Sequence, residues 1–154
     1  MSVRPVPAAA VRPLRGAILR PGEPPDSLVY PGDDAQLAFH AGGFLGEEIH
    51  GIATVYPETP PLAHLGGIPE AAYAEGAAFR LRGMATSEAA RGTGMGRELL
   101  LACFAHIRRS GGSFLWCNAR SGALGFYERM GLETVGEEFD LPPIGPHFVM
   151  WIAI

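Results

Sequence analysis

The sequence predicts an α/β fold with a mixed β-sheet, formed by one domain that spans all 154 residues. Three observations support this class. Short runs rich in β-branched and aromatic residues alternate with segments of helical periodicity. A glycine-rich segment joins a strand-like run directly to the most apolar helical run. Hydrophobic residues make up 47% of the chain and charged residues 18%, which provides enough apolar side chains for a sizeable core.

The first third of the chain predicts a helix and a β-hairpin. Residues 8–19 have a weak helical pattern, in which Pro13 must lie near the helix start or bend the helix. Residues 36–41 (QLAFHA) predict a strand that ends in a turn at residues 42–43, a pair of glycines. Residues 47–58 predict a longer strand, because they are rich in β-branched and aromatic side chains. The two strands are expected to pair in antiparallel fashion.

The middle of the chain predicts a long loop followed by a strand. Residues 57–76 are rich in Pro, Gly and Ala and predict a loop with a short helix around residues 70–74. A loop of this length inside a compact domain is often functional. Residues 77–86 (AAFRLRGMAT) alternate in polarity, which predicts a strand with Arg80 and Arg82 on one face and apolar side chains on the other.

The next segment, residues 90–99 (ARGTGMGREL), carries glycine at every second position, at Gly92, Gly94 and Gly96. It precedes a predicted helix over residues 96–109. Backbone N–H groups at a helix start lack partners within the helix and the helix dipole attracts anions, so this segment can cradle a phosphate; an ordinary connecting turn is the alternative. The spacing fits neither a dinucleotide fingerprint nor a P-loop with Lys followed by Ser or Thr. What remains is Arg-x-x-Gly-x-Gly.

The last third predicts a strand, a short helix and a closing hairpin. The strand covers residues 113–119 (SFLWCNA), and the helix covers residues 121–130. The hairpin strands are residues 132–140 and residues 147–154. The final strand is very apolar, and an uncovered strand of this kind favours aggregation. It is therefore expected either to be buried in its own sheet or to complete the edge of a homodimer.

Two motifs make the chain similar to the GNAT family of N-acetyltransferases. Residues 91–96 match the family's pyrophosphate-loop pattern Arg/Gln-x-x-Gly-x-Gly/Ala, and the preceding LRGMATSEAA is similar to its fourth strand. Residues 118–136 (NARSGALGFYERMGLETVG) resemble its second signature, an Asn after the fifth strand and a short helix ending in Phe-Tyr-Glu. The resemblance is strong from residue 77 onward. It implies a small bacterial-type member, whose mostly antiparallel sheet of six to seven strands is flanked by helices, with the fourth and fifth strands splayed.

The resemblance also implies a reaction. Acetyl-CoA is the donor, no metal takes part, and a primary amine on a small molecule or a peptide attacks directly in a ternary complex. The pyrophosphate meets the loop, the pantetheine arm pairs with the end of the fourth strand, and the far wall of the slot comes from the fifth strand and the short helix. The implied cofactor contacts are Met84, Ala85, Thr86, Arg91, Gly92, Thr93, Gly94, Met95, Gly96, Arg97, Asn118 and Phe126.

Two groups are expected to act on the acyl transfer itself. A strand N–H at Met84 or Ala85 can stabilise the oxyanion of the tetrahedral intermediate. Tyr127 is the implied catalytic residue, because a phenol with a pKa of about 10 keeps its proton at neutral pH and can give it to the departing CoA thiolate. A Tyr that only packs on the helix beside Phe126 is the alternative.

Two questions stay open in the sequence. The acceptor ammonium must lose a proton before it attacks, and no spacing singles out a base. Arg80 and Arg82 either pair with acidic residues on a neighbouring strand or hold a substrate carboxylate, and pairing is the favoured interpretation. The candidate bases are Glu47, Glu48, His50, His64, Glu75 and His147.

Charge and cysteine content narrow the class of protein. The formal net charge is −4 and basic residues are not clustered, so no nucleic-acid partner is expected. Cys103 and Cys117 lack the spacing of a zinc site and are expected to be buried and reduced. No apolar run is long enough to span a membrane and no secretory signal is visible, which favours a cytoplasmic enzyme. The competing functions are a non-catalytic acyl-CoA-binding module and a nucleotide-binding domain.

Overall fold

The computed structural model describes residues 1–154 and contains a seven-stranded sheet with the strand order β1-β2-β3-β4-β5-β7-β6. β4 pairs with β5 in parallel, whereas the β1–β2, β2–β3, β5–β7 and β6–β7 pairs are antiparallel. The predicted mixed, mostly antiparallel sheet is therefore confirmed. The strands are β1 (Ser2–Pro5), β2 (Phe39–Leu45), β3 (Glu48–Pro57), β4 (Ala78–Thr86), β5 (Phe114–Arg120), β6 (Glu133–Leu141) and β7 (Gly145–Ala153). The α-helices are α1 (Ala8–Leu14), α2 (Met95–Arg109) and α3 (Leu124–Arg129).

The chain forms two compact units. The first contains Met1–Tyr56 and Arg82–His106, and the second contains Pro57–Leu81 and Ile107–Ile154. β4 therefore begins in the second unit and ends in the first, whereas α2 begins in the first unit and ends in the second. None of the helices is long and apolar enough to cross a membrane.

In the first unit, β2 is longer than predicted and runs through Gly42 and Gly43, so the prediction of a turn there is wrong. The reason is close packing. A Cβ on Gly43, or on its register partner Gly51, would lie 2.6 Å from the Sδ of Met95, the first residue of α2. These glycines let the helix approach the strand backbone. In the sequence, a pair of glycines that serves close packing cannot be distinguished from a pair that forms a turn.

The edge strand β1 is absent from the sequence prediction. It has four residues and ends at Pro5, so it offers too short a pattern to recognise. The helix predicted over residues 8–19 is present, but only α1 is α-helical, and Arg15–Leu19 form a π-helical turn. Pro13 lies inside α1, just ahead of this change, where its missing N–H weakens the α-helical hydrogen-bond ladder.

The π-helical turn places a fully buried arginine in the first unit. Arg15 donates two hydrogen bonds to the Asp33 carboxylate, at 2.7 and 2.8 Å. It also donates to Leu28 O at 2.8 Å and to Thr54 Oγ1 at 2.9 Å. Because Thr54 accepts from Arg15, its hydroxyl proton is free to point at His40 Nδ1, 2.8 Å away.

His40 completes this network. Its Nε2 lies 3.0 Å from the Asp33 backbone oxygen, which can only accept, so Nε2 carries the proton and Nδ1 accepts from Thr54. A closed chain of bonds then joins residues from the π-helical turn, a loop and two strands. Burial alone raises the pKa of the Asp33 carboxyl, but the Arg15 hydrogen bonds and charge, with the Tyr30 N–H, outweigh burial and hold it below 3.8.

In the second unit, one apolar cluster lies on the Trp116 face of β5. Trp116 Nε1 donates to Glu58 O at 2.8 Å, which ties the start of the predicted loop to the strand. That loop contains two 3₁₀ turns, Leu62–His64 and Glu70–Tyr73, so the expected short helix is present. The buried members of the cluster are Ile68, Ala72, Ala78, Phe114, Trp116 and Val149.

The closing hairpin shows how the apolar final strand of the chain is covered. β7 pairs with β5 along one edge and with β6 along the other, so the apolar final strand is buried in its own sheet. The feature that suggested a homodimer is thus satisfied within the chain, and dimerisation stays a prediction. Both cysteines are buried and free, and burial raises the pKa of each thiol to about 12.

The buried pair predicts a specific loss of stability. Asp33→Asn leaves Arg15 buried without its counter-charge, and we expect the free energy of unfolding at pH 7 to fall by about 3–5 kcal/mol. The folded-state pKa of Asp33 is lowered, so its contribution is present above the unfolded value of about 3.9 and is lost as the pH falls through the folded value.

Urea unfolding at pH 7 and near pH 3 measures this effect. The difference between wild type and Asp33→Asn should shrink at the lower pH. Asp34→Asn is the matched control, because Asp34 is the exposed neighbour, and it should stay within about 0.5 kcal/mol of wild type at both pH values. Equal stability of the two variants at pH 7 would contradict the assignment.

Candidate active site

The glycine segment forms a tight connection between β4 and α2. After the 3₁₀ turn Glu88–Ala90, Gly92 has φ = 77° and Gly94 has φ = 82°. Residues with a side chain rarely adopt this left-handed backbone conformation, so both positions require glycine. A Cβ at either position would contact nothing within 4 Å, so the requirement comes from the backbone conformation and not from packing.

The N–H groups of this loop divide into two sets. Arg91 N donates to Glu88 O at 3.1 Å, Thr93 N to Ala90 O at 3.2 Å, and Met95 N to Thr93 Oγ1 at 3.3 Å. The groups between them have no partner in the chain. This open set is Gly92 N, Gly94 N, Gly96 N and Arg97 N. From Arg91 to Gly96, N–H groups that have a partner alternate with N–H groups that have none, and the unpartnered ones belong to the three glycines. Together with Arg97 N, these three N–H groups form a row of donors at the start of α2.

Two arginine side chains flank the open donors. The side chain of Arg91 is 74% exposed and lies 3.9 Å from Glu88, and that of Arg97 is 65% exposed and lies 3.7 Å from Glu98. Ion pairs this exposed contribute little stability, so both guanidinium groups can turn toward an anion at small cost. The loop thus combines a helix N-terminus with two mobile positive charges.

β4 changes its conformation just before the stretch predicted to meet the cofactor. Gly83 has φ = 67°, a left-handed conformation that residues other than glycine rarely adopt. A Cβ there would lie 2.8 Å from the Tyr30 ring. Beyond it, Met84 and Thr86 are half-buried, and Ala85 packs in an apolar cluster with Val11 and Ile52.

The remaining predicted residues lie in the second unit. Asn118 is half-buried on β5, in register with Val149 of β7. Tyr127 is 8% exposed on α3, and its ring meets the half-buried Phe126 edge to face, with centroids 5.2 Å apart. Both predicted features of the second motif, the strand Asn and the helix Tyr, are therefore present in one unit.

The two β4 arginines have different partners. Arg80 pairs with Glu58, the residue after β3, at 3.2 Å and lies over the Trp116 ring. The expected pairing is confirmed for this residue. Arg82 has no carboxylate partner and instead lies over the Tyr30 ring, with Cζ 4.2 Å from the centroid.

Among the six candidate bases, His147 stands apart. Glu47, Glu48 and Glu75 are exposed, His64 is half-buried, and His50 bonds to Ser87 Oγ through Nδ1 at 2.7 Å. His147 is 4% exposed, and its Nδ1 lies 2.7 Å from Gly145 O.

The partner of Nδ1 fixes the tautomer of His147. A carbonyl oxygen can only accept, so Nδ1 carries a proton, and in the neutral ring the lone pair is on Nε2, which has no partner in the chain. The ring also stacks on Phe139, 6.0 Å away. Burial and tautomer depend on tertiary structure, so the sequence could not rank this residue.

The mixed seven-stranded sheet, with its parallel β4–β5 pair and the glycine loop ahead of α2, defines an acyltransferase type of fold. Comparison with known sequences gives the family. The family model for the acetyltransferase (GNAT) domain matches residues 65–141, half of the chain. An uncharacterized N-acetyltransferase of Bacillus subtilis (strain 168), YitI, is 36% identical over 138 residues, which cover 90% of this chain and 86% of YitI. The chain belongs to the GNAT acetyltransferase family, and it is an acyltransferase enzyme.

Solved structures agree with this fold. Escherichia coli ElaA superposes with a TM-score of 0.72 at 17% identity, covering 97% of each chain. An aminoglycoside 6′-N-acetyltransferase complexed with coenzyme A superposes with a TM-score of 0.65 at 12% identity, covering 99% of this chain and 97% of that one. At these identities the likeness establishes the architecture.

Proposed function

We propose that this protein transfers the acetyl group of acetyl-CoA to a primary amine, by direct attack of the amine on the thioester. The observation that carries the proposal is the row of open N–H groups at Gly92, Gly94, Gly96 and Arg97. A diphosphate presents several anionic oxygens, and N–H groups at a helix start are suited to receive them. The coenzyme A bound by the related aminoglycoside 6′-N-acetyltransferase agrees with this donor.

The acyl end of the donor is expected to lie along β4. Its pantetheine arm is rich in amides and can pair with the backbone of residues 84–86 as a further strand would. An N–H at Met84 or Ala85 would then face the thioester oxygen. A donor fixed in place before the reaction stabilises the charge that develops on that oxygen, and removal of one such donor typically slows an enzyme about 100-fold or more.

Tyr127 supplies the proton for the leaving group in this proposal. When the tetrahedral intermediate collapses, the C–S bond breaks and the electron pair goes to sulfur. The phenol of Tyr127 gives its proton to that thiolate, and Asn118 and Phe126 contact the cofactor beside it. Its low exposure keeps bulk water from competing for the same role.

His147 takes the proton of the acceptor. An alkylammonium has no lone pair, so one proton must leave nitrogen before the N–C bond forms. The Nδ1–H bond to Gly145 O holds the ring with the Nε2 lone pair available, which is the state that a general base requires. No other candidate combines deep burial with a ring nitrogen left open.

The glycine loop provides the first test. Thermal-shift measurements should show stabilisation that rises with acetyl-CoA concentration, and none with ATP or NAD. Gly94→Ala should weaken acetyl-CoA binding at least 10-fold and lower stability by about 1 kcal/mol, because the new Cβ forces φ out of the left-handed region. Gly122→Ala is the matched control, since its Cβ also meets nothing and its φ is not left-handed, and it should bind like wild type.

Loss of binding in both glycine variants, or stabilisation by ATP instead of acetyl-CoA, would contradict the assignment of the loop. Binding of acetyl-CoA without release of thiol in the presence of any amine would instead identify a non-catalytic acyl-CoA-binding module.

Replacement of Tyr127 tests the proton donor. Tyr127→Phe removes only the hydroxyl, and we expect kcat for thiol release to fall about 100-fold with little change in acetyl-CoA affinity. Tyr73→Phe removes another hydroxyl of the same unit, which donates to Pro61 O, and should leave kcat unchanged. An unchanged kcat in Tyr127→Phe rules out the donor role.

Amines of different basicity test the base. His147→Asn keeps an N–H to donate to Gly145 O but has no basic nitrogen. We expect kcat/KM for methylamine, which is protonated at pH 7, to fall about 100-fold. Methoxyamine is neutral at pH 7 and should lose far less, since it has no ammonium proton to give up. Equal losses for the two amines would show that the effect of the substitution is structural.

A further inference from the structure

Three guanidinium groups of the first unit surround one aromatic ring. The Cζ atoms of Arg15, Arg82 and Arg20 lie 3.8, 4.2 and 5.6 Å from the centroid of Tyr30. Tyr30 is 5% exposed, so the ring is a fixed and largely dry platform. Stacking of this kind lowers the cost of holding an arginine away from water.

The negative charge at this platform is insufficient. Asp33 is the carboxylate of the cluster, and both of its oxygens are taken by Arg15. Arg20 reaches only a backbone oxygen, Ser27 O, at 3.3 Å. Arg82 has its stacking contact and no ion pair. The cluster therefore carries an excess of positive charge, and the excess lies on Arg20 and Arg82.

The comparison with Arg80 shows that this is particular to one position. Arg80 lies two residues earlier on β4 and is neutralised by Glu58. Arg82 is half-buried and lies over the Tyr30 ring, and its guanidinium N–H groups have no hydrogen-bond partner in the chain, so they can bind a ligand. A planar group with paired edge donors matches the geometry of a carboxylate.

The position on the strand relates this arginine to the proposed chemistry. Only Gly83 separates Arg82 from Met84, and two residues of a strand span about 6.6 Å. A Cβ on Gly83 would lie 2.8 Å from the Tyr30 ring and 3.1 Å from Arg15 Nε, so the cluster packs directly against β4. An acceptor whose amine attacks near Met84 and whose anionic group lies a few bonds away would reach Arg82.

We propose that Arg82, supported by Tyr30, binds the carboxylate of the acceptor, and that the acceptors are free amino acids. This inference rests on the proposed acetyl transfer, because it places the acceptor amine beside the acyl group. Arg82 is a binding residue, and its contribution is to the affinity and orientation of the acceptor. The carboxylate adds one charge-assisted, two-pronged contact, which is typically worth about a 10- to 100-fold difference in kcat/KM.

Matched acids and amides test the proposal. The probes are glycine with glycinamide, leucine with leucinamide, and phenylalanine with phenylalaninamide, measured by thiol release at saturating acetyl-CoA. The wild type should favour at least one acid over its amide about 10-fold or more. The amide's amine is less basic and so more of it is neutral at pH 7, which biases the comparison against this result.

Variants assign the preference to Arg82. Arg82→Gln should raise KM for the preferred acid about 10- to 100-fold, leave its amide within about twofold, and change kcat little. Arg82→Lys keeps the positive charge but lacks the planar pair of N–H donors, so its KM for the preferred acid should lie between the values for wild type and Arg82→Gln. Arg109→Gln, which removes an exposed arginine at the end of α2, is the control for net charge and should match wild type.

A binding measurement keeps this proposal separable from the proposed function. Ligand-observed NMR can detect binding of the same acids and amides to the acetyl-CoA-bound and the free protein. If no amine releases thiol but the acids bind through Arg82, the carboxylate site is supported and the acetyl transfer is wrong. If amines are acetylated with no difference between acid and amide, or if Arg82→Gln weakens both equally, the carboxylate site is wrong and the acetyl transfer stands.

Discussion

The contact between the first residue of α2 and the backbone of the sheet is the constraint on which the candidate site depends. Met95 is 1% exposed and its side chain occupies the space above Gly43 and Gly51, where any Cβ would be 2.6 Å from its sulfur. Interiors packed at this density do not tolerate an added methyl group without movement. The start of α2 is therefore fixed against β2 and β3, and with it the direction of the N–H groups that precede the helix.

A second constraint explains how three arginine side chains can lie around the Tyr30 ring next to a strand. Burying Arg15 requires hydrogen-bond partners, which Asp33, Thr54 and Leu28 O provide for Nη1 and Nη2, whereas Nε has none. That network fixes one side of the Tyr30 ring, because Asp33 also accepts from the Tyr30 N–H at 3.1 Å. A buried network with this many hydrogen bonds rigidifies its surroundings. Arg82 thus lies over a ring that is already held in place, and binding of the proposed carboxylate would cost its side chain little freedom.

The parts that sequence could predict are those determined by neighbours along the chain. The glycine loop, α2 and the strand before it follow from local spacing, and their bounds agree within a residue or two. The extension of β2 and the burial of Arg15 could not be predicted. The first depends on Met95, about 50 positions away, and the second joins residues 18 and 39 positions apart. The candidate site shows the same difference: the sequence predicts the glycine loop, but it cannot predict the tautomer of His147.

The chain carries a formal net charge of −4, whereas acetyl-CoA is anionic and a free amino acid is a zwitterion with no net charge, so long-range attraction cannot account for the binding of either proposed ligand. Affinity must come from short contacts, which screening and net charge affect least. The first unit provides two contacts of this kind. Open backbone donors at Gly92, Gly94 and Gly96 carry no net charge, and Arg82 keeps its charge half-buried on a ring. Because each contact acts only at hydrogen-bond distance, the two proposed sites would discriminate by shape: the loop donors would receive a row of phosphate oxygens, and Arg82 would receive a flat carboxylate.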